Sequence, residues 1–391
     1  MANHLKIRRN IILFKIDCFC HRCWPLSALA IVYFQSITNS YALALGIFSI
    51  STIIQALMEV PTGIISDRVG RRMTMIAAAF FTFCSFASFA LAGNFKSYLL
   101  LVLGALLWGI WASFRSGTDE AFIYDTMQEL RKQHKYDIIY SQSKIFHRLG
   151  GAMASVTAIC VLYFYSLHVL AWISVIPAII QLISSFFFVE PKINSTKDVN
   201  SWEHLKHACR NIKSNTKLQK VSALVCLNRA FNMTAYRMES VYFSQLIAKW
   251  LVDLVILLRE LWGAISFAIA PFVRQFGFLK VLTCSIFGNV FVRSIGFILN
   301  NALSPFIMSL YGLFLGTAET AESALLQKEF SSAQRATMGS LISLFGGFIM
   351  AISYYVFGVI ADTWSVYTAI LLLIIARACL GFCYIKMGHH S

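Results

Sequence analysis

The chain has 391 residues, 58% hydrophobic and only 13% charged, with a mean hydropathy of +0.67. Soluble domains carry roughly a quarter charged residues, so this composition excludes a soluble globular enzyme and indicates a polytopic membrane protein. The formal net charge of +15 does not make it a nucleic-acid binder: no soluble basic domain remains once the apolar runs are removed, and the cytoplasmic loops of membrane proteins are basic in their own right.

The first apolar run follows Lys6, Arg8 and Arg9 and is interrupted by Asp17, His21 and Arg22. The interruption predicts an uncleaved span, not a signal peptide. Runs of about twenty apolar residues, each able to cross a hydrocarbon core of about 30 Å, are predicted at Ile11 to Phe34, Tyr41 to Ile65, Met73 to Ala92, Tyr98 to Gly117, Ile145 to Tyr165 and Leu167 to Phe188. Six more follow at Val221 to Leu246, Leu251 to Val273, Leu279 to Leu299, Leu303 to Leu325, Met338 to Ile360 and Tyr367 to Ile385. The expected fold is an all-α integral membrane protein of twelve transmembrane helices in two pseudo-symmetric six-helix bundles, 1–190 and 221–391, joined by a cytoplasmic linker over 191–220.

That linker carries Lys192, Lys197, Lys206, Arg210, Lys213, Lys217 and Lys220 against Asp198 and Glu203. Trp202, Leu205, Cys209 and Ile212 recur in it at helical spacing, which fits either an amphipathic helix on an anionic leaflet or a charged linker. Loop charge sets the orientation. With the N-terminus inside, inner segments hold Lys6, Arg8, Arg9, Arg131, Lys132, Lys135, Lys328, Arg335 and Lys386, and outer loops little beyond Lys96 and Lys249. Both termini are expected in the cytoplasm of a bacterial-type cytoplasmic membrane.

Between the second and third spans lies EVPTGIISDRVGRR, Glu59 to Arg72. Its charges cannot rest in hydrocarbon, so the turn lies at a membrane surface. Laid together at an offset near 207, the halves match weakly but in order. His21-Arg22-Cys23-Trp24 falls on Asn228-Arg229-Ala230-Phe231, Val32-Tyr33-Phe34 near Val241-Tyr242-Phe243, Gly70 on Gly277, Asp119 near Glu322, and Gly150-Gly151 near Gly346-Gly347. Duplicated halves of this kind are used by secondary transporters.

The turn residues Gly63, Asp67, Arg68, Gly70, Arg71 and Arg72 resemble the signature loop between helices 2 and 3 of the major facilitator superfamily. The resemblance implies a secondary transporter working by alternating access, with helices 1, 4, 7 and 10 lining a central cavity. It also implies that Asp119, Glu120 and Asp125 at the inner end of helix 4 pair with Arg68, Arg71 or Arg72. Arg335, opening helix 11 in Arg335-Ala336-Thr337, is a candidate partner for Asp67 in a conformational latch, helped by the helix dipole.

The four cavity helices hold much of the intramembrane charge, which must face a cavity or a partner. Arg22 and Arg229, about eleven and nine residues into their spans at about 1.5 Å per residue, are symmetry-related and lie near mid-depth. Either they bind a substrate carboxylate or phosphate with their planar donors, or they neutralise Asp17, Glu319 or Glu322. Arg115 and Tyr236 complete the candidate substrate ligands. Asp17, Glu319 and Glu322 are candidates for proton coupling, with His21 beside them. Glu319 and Glu322 share a helix face at i, i+3 and could hold one proton between them, or could anchor the end of helix 10 near Lys328.

Cys18, Cys20, His21 and Cys23 do not converge on a helix, so packing is preferred to metal binding. Helix 5 reads Arg148-Leu-Gly-Gly-Ala-Met-Ala-Ser, without the proline of the Gly-Pro-Gly-Gly type motif of drug exporters of the superfamily. Nucleotide-binding loops and hydrolase motifs are missing from the sequence, and neither an enzyme nor a cofactor is expected. The expected function is movement of a small organic solute with an anionic group, coupled to an ion gradient, the ion being a proton. The alternatives are a proton-coupled drug or siderophore efflux pump and a non-transporting sensor or scaffold. The expected partners are the solute, the bilayer and the coupling proton, with the chain acting as a monomer and binding no nucleic acid.

Overall fold

The computed structural model describes residues 2–191, 216–328 and 335–388. Most of the linker and its proposed amphipathic helix lie outside them. The described residues are helical almost throughout, and they divide into two compact units, Met1–Asn39 with Ile47–Lys197 and Ser40–Gly46 with Asp198–Ser391.

In the first unit, α1 (Ala2–Arg22) ends at a break set by Pro25. The residue before a proline is pushed out of the helical region, and Trp24 sits at φ −115°, ψ 90°. A 3₁₀ turn, Pro25–Ala28, leads to α2 (Ala30–Thr38). Then follow α3 (Tyr41–Val69), α4 (Arg71–Phe95), α5 (Tyr98–Arg115), α6 (Thr118–Glu129), α7 (Tyr136–Phe164), α8 (Leu167–Ile173) and α9 (Val175–Ser185). The fourth span is broken at Ser116–Gly117, where Gly117 takes φ +74°. α4 packs on α5 and α9, and α1 on α7 and α9. Their shared core includes Leu13, Phe14, Met75, Phe122 and Phe188, and Trp24, Phe86, Phe89 and Trp108 form an aromatic cluster beside the break.

The second unit repeats this plan with α10 (Thr216–Leu246), α11 (Lys249–Val273), α12 (Phe278–Leu299), α13 (Ser304–Ser309), α14 (Leu315–Lys328), α15 (Arg335–Thr363) and α16 (Val366–Gly388). α10 packs on α15 and α16, and α12 on α14 and α16. Its tenth span is interrupted by a 3₁₀ segment, Leu310–Phe314.

Among the described residues, eight of the predicted spans are long and apolar enough to cross a membrane. The other four are interrupted or charged: α1 and α2, α13 and α14, α10 with Arg229, Arg237 and Glu239, and α11 with Asp253, Arg259 and Glu260. The architecture is the expected twelve-helix, two-bundle membrane fold.

The duplication is visible in backbone detail. Gly70 and Gly277 precede α4 and α12 at φ +96° and +90°, and Lys96 and Asn300 end the same helices in left-handed conformations. Gly150 of α7 lies against the backbone of Phe19 in α1, and Gly346 of α15 against Cys226 in α10. Phe19 and Cys226 are separated by the offset of 207 seen in the sequence. Glycine at a helix crossing lets two backbones approach closely, and both halves keep it at the equivalent crossing.

Candidate substrate and coupling site

Asp17, five residues before the end of α1 at Arg22, is fully buried. Its Oδ2 accepts from Arg115 Nη1 at 2.5 Å and its Oδ1 from Gln181 Nε2 of α9 at 2.9 Å. Arg115 Nη2 donates to Asp119 Oδ2 at 2.6 Å across the break between α5 and α6. Arg115 therefore differs from its expected role as a substrate ligand: it is 7% exposed and bracketed by two carboxylates. Asp119 likewise faces Arg115 and not the turn arginines. A guanidinium four residues away, in low dielectric, outcompetes exposed partners. Glu120 accepts from Tyr140 Oη at 2.6 Å.

Arg22 ends α1 with its stem against Gly151 of α7. His21 lies in an aromatic group, 5.0 Å from Trp111 and 5.3 Å from His147 between ring centres. In the second unit Glu322 is buried and accepts from Asn228 Nδ2 at 3.0 Å and from Arg229 Nε. Arg229 keeps 48% of its side chain exposed against 5% for Glu322. The expected Glu319–Glu322 carboxylate pair does not share one environment: Glu319 is exposed. Tyr236 lies beneath Arg259, whose guanidinium carbon is 4.2 Å from the ring centre.

The basic turn is built around a residue the sequence did not single out. Glu190, two residues past the sixth apolar run, accepts from the Arg71 amide at 2.8 Å and the Arg72 amide at 2.7 Å. The carboxylate satisfies two of the orphan N–H groups that open a helix and sits at the positive end of its dipole. Arg71 donates to Ser66 Oγ at 2.9 Å and approaches Asp125 at 3.8 Å; Arg72 donates to the Phe186 carbonyl at 3.2 Å. Of the three acids assigned to the turn, Asp125 is the one placed beside it. Arg68 is exposed, and Gly63 has open space where a side chain would begin. The side chains of Asp67 and Arg335 lie outside the described residues.

Sequence reading also passed over Gln181 and over Arg259, Arg293 and Arg377. Each of these arginines interrupts an apolar span from within, Arg259 beside Glu260 and Arg377 in Ile374-Ile375-Ala376-Arg377-Ala378-Cys379-Leu380, which is the signal that marks them. No group of three histidine, cysteine or acidic residues among the described residues could hold a metal ion.

No family model matches the sequence, and no curated protein matches it significantly. Solved structures match its fold over nearly the whole chain. A point mutant of the nucleoside transporter NupG superposes with a TM-score of 0.82 at 15% identity, covering 96% of this chain and 99% of its own. A second NupG structure gives 0.74 at 14% identity and 99% coverage of both chains. The POT family transporter PepTSo gives 0.69 at 12% identity and 98% coverage of both. The chain therefore shares the fold of these solved transporters over nearly its whole length.

Proposed function

We propose that the chain is a secondary active transporter that moves a small organic solute with an anionic group by alternating access, driven by a proton gradient. The observation that carries this reading is the likeness to two kinds of transporter across at least 96% of the chain and at least 98% of each neighbour. The proposed bundles are 1–190 and 221–391, with the linker 191–220 and both termini in the cytoplasm of a bacterial-type membrane, and the chain acts as a monomer.

The proposed coupling element is the Arg229–Glu322 pair. Glu322 is buried and Arg229 half exposed, so an anionic solute can reach the guanidinium. A solute carboxylate that takes Arg229 leaves Glu322 without its cation, and a buried carboxylate in that position takes up a proton. Solute and proton then bind together. Arg22 and Tyr236 are proposed as further solute contacts, and Asp17 with Arg115 and Asp119 as the charge network that holds the first and fourth spans in register. Asp67 and Arg335 remain the proposed latch.

The test is a panel of solutes, nucleosides and organic anions first and then sugars, amino acids, siderophores and drugs. Each is screened for stabilising the purified protein, since a ligand bound by the native state raises its apparent stability. Hits are then assayed for uptake into proteoliposomes with and without a pH gradient. Glu322→Gln should abolish gradient-driven accumulation and spare solute exchange. Accumulation unchanged in Glu322→Gln would remove the coupling role, and absence of flux for every stabilising solute would remove the transport reading.

A further inference from the structure

The second unit buries three arginines from three helices around one fully buried carboxylate. Arg259 of α11, Arg293 of α12 and Arg377 of α16 are 6%, 1% and 3% exposed, and Glu239 of α10 is 2% exposed. Arg293 Nε lies 2.7 Å from Glu239 Oε1, and its guanidinium carbon is 3.9 Å from the centre of the Tyr311 ring. Arg259 donates to Tyr311 Oη at 3.3 Å and to Glu260 at 2.6 Å, Glu260 keeping 36% of its side chain exposed. Arg377 has only amide oxygens among its described acceptors: Asn232 Oδ1 at 2.5 Å and Asn289 Oδ1 at 2.9 Å.

Positive charge thus exceeds negative charge inside membrane-spanning helices, where uncompensated ions are expensive. Donors are left over as well. Arg259 Nε, Arg293 Nη2 and Arg377 Nε are buried with no acceptor. Beside Arg259 lies a small cavity of about 10 Å³ lined by Tyr236, Glu239, Ser240, Arg259, Ser309 and Tyr311 and by the apolar Phe243, Val255 and Ile256. By that measure a single water-sized group needs about 10–15 Å³, so the space suits one small group and no large solute.

We propose that this cavity, with Arg259 as its principal ligand, binds one compact monovalent anion of the size of chloride or formate. The anion supplies the negative charge by which the three arginines exceed Glu239 and Glu260, and the tyrosine hydroxyls lining the cavity are those of Tyr236 and Tyr311, the Ser240 and Ser309 hydroxyls being already donated to backbone carbonyls. Glu239 engages Arg293 and the partly exposed Glu260 engages Arg259, so the three arginines keep one positive charge in excess, and Arg259 Nε, buried without an acceptor, is the donor left to the anion. The site lies wholly within the second unit and does not depend on which solute the chain carries, or on whether it carries one.

Thermal unfolding of the purified protein tests it, at fixed ionic strength in chloride, formate or gluconate, the last too large for the cavity. Chloride or formate should raise the unfolding midpoint by about 2–4 °C, the shift growing logarithmically once the anion exceeds its dissociation constant. In Arg259→Gln the dependence should vanish, and the variant should be at least as stable as the wild type in gluconate while falling below it in chloride. If Arg259→Gln does not fold, Arg259→Lys should fold and need at least tenfold more chloride. Stabilisation by formate alone assigns the site to a carboxylate and keeps the proposal. Equal wild-type midpoints in all three salts, or a chloride effect unchanged in both variants, would overturn it. Arg259 is not among the proposed solute contacts, so loss of the anion effect leaves solute uptake and the transport reading untouched, and the reverse holds too.

Discussion

Arg115 illustrates how much of a charged residue's role lies outside its own stretch of sequence. Its partner Asp119 stands four positions away and could be read from spacing; Asp17 and Gln181 could not, because they arrive on α1 and α9. The substrate role expected for Arg115 rested on its place in the fourth span, and the turn role of Asp119 on the resemblance. Both gave way to a buried ion pair at hydrogen-bonding distance. Removing the guanidinium leaves two carboxylates in a dry core, one of them fully buried, so Arg115→Ala should destabilise the first unit by about 3–5 kcal/mol. Asp119→Asn, which leaves Asp17 in place, should cost less than half of that. Chemical unfolding in detergent micelles measures both, and equal losses would mean that Arg115 is not the centre of the network. The Arg229–Glu322 pair was among the alternatives open in sequence, since both residues were visible; what sequence did not carry was the contrast in their exposure.

Among the helices, the long apolar spans were legible because hydrocarbon thickness imposes a length, whereas the break at Pro25 was hidden, because the apolar run continues through it to Phe34. Glu190 was not legible. A carboxylate just past a span is ordinary in a loop, and nothing local says that it reaches the amide groups of Arg71 and Arg72. Gly70 is held by two constraints: its φ of +96° with ψ of 159° is nearly restricted to glycine, and a Cβ there would lie 2.9 Å from the Glu190 carboxylate. Gly277 shares the backbone constraint at φ +90° but has nothing within 4 Å of the same position. Gly277→Ala should therefore cost about 1–3 kcal/mol of backbone strain, and Gly70→Ala should cost about 1 kcal/mol more through loss of the helix cap. In a Glu190→Ala background the two costs should become equal. Unfolding midpoints of the four proteins read this out, and an undiminished difference without Glu190 would contradict the cap.

Taken whole, the molecule has two halves that share joints and differ in charge. Paired glycines at the crossings of α7 with α1 and α15 with α10, and paired turns before α4 and α12, repeat the weak register seen in the sequence. The charged motif of the first turn has no counterpart at Val273 to Gly277. Backbone geometry survives substitution more readily than side-chain chemistry, which is why the repeat was faint in residues and clear in coordinates. The proposed orientation is testable at the same scale. In a protein freed of its native cysteines, Lys96→Cys should react with an impermeant maleimide in intact cells, and Arg131→Cys only after permeabilisation; the opposite pattern would invert the topology. The two buried charge clusters also differ in sign. Asp17, Arg115 and Asp119 hold more negative than positive charge, while Arg259, Arg293, Arg377 and Glu239 hold more positive than negative. An elementary charge crossing the full membrane potential exchanges about 2.3 kcal/mol per 100 mV, so an electric field acts on the two clusters in opposite directions. Filling the second cluster with an anion would lower the force on it by one charge and leave the first unchanged, making the voltage response of the protein depend on the salt around it.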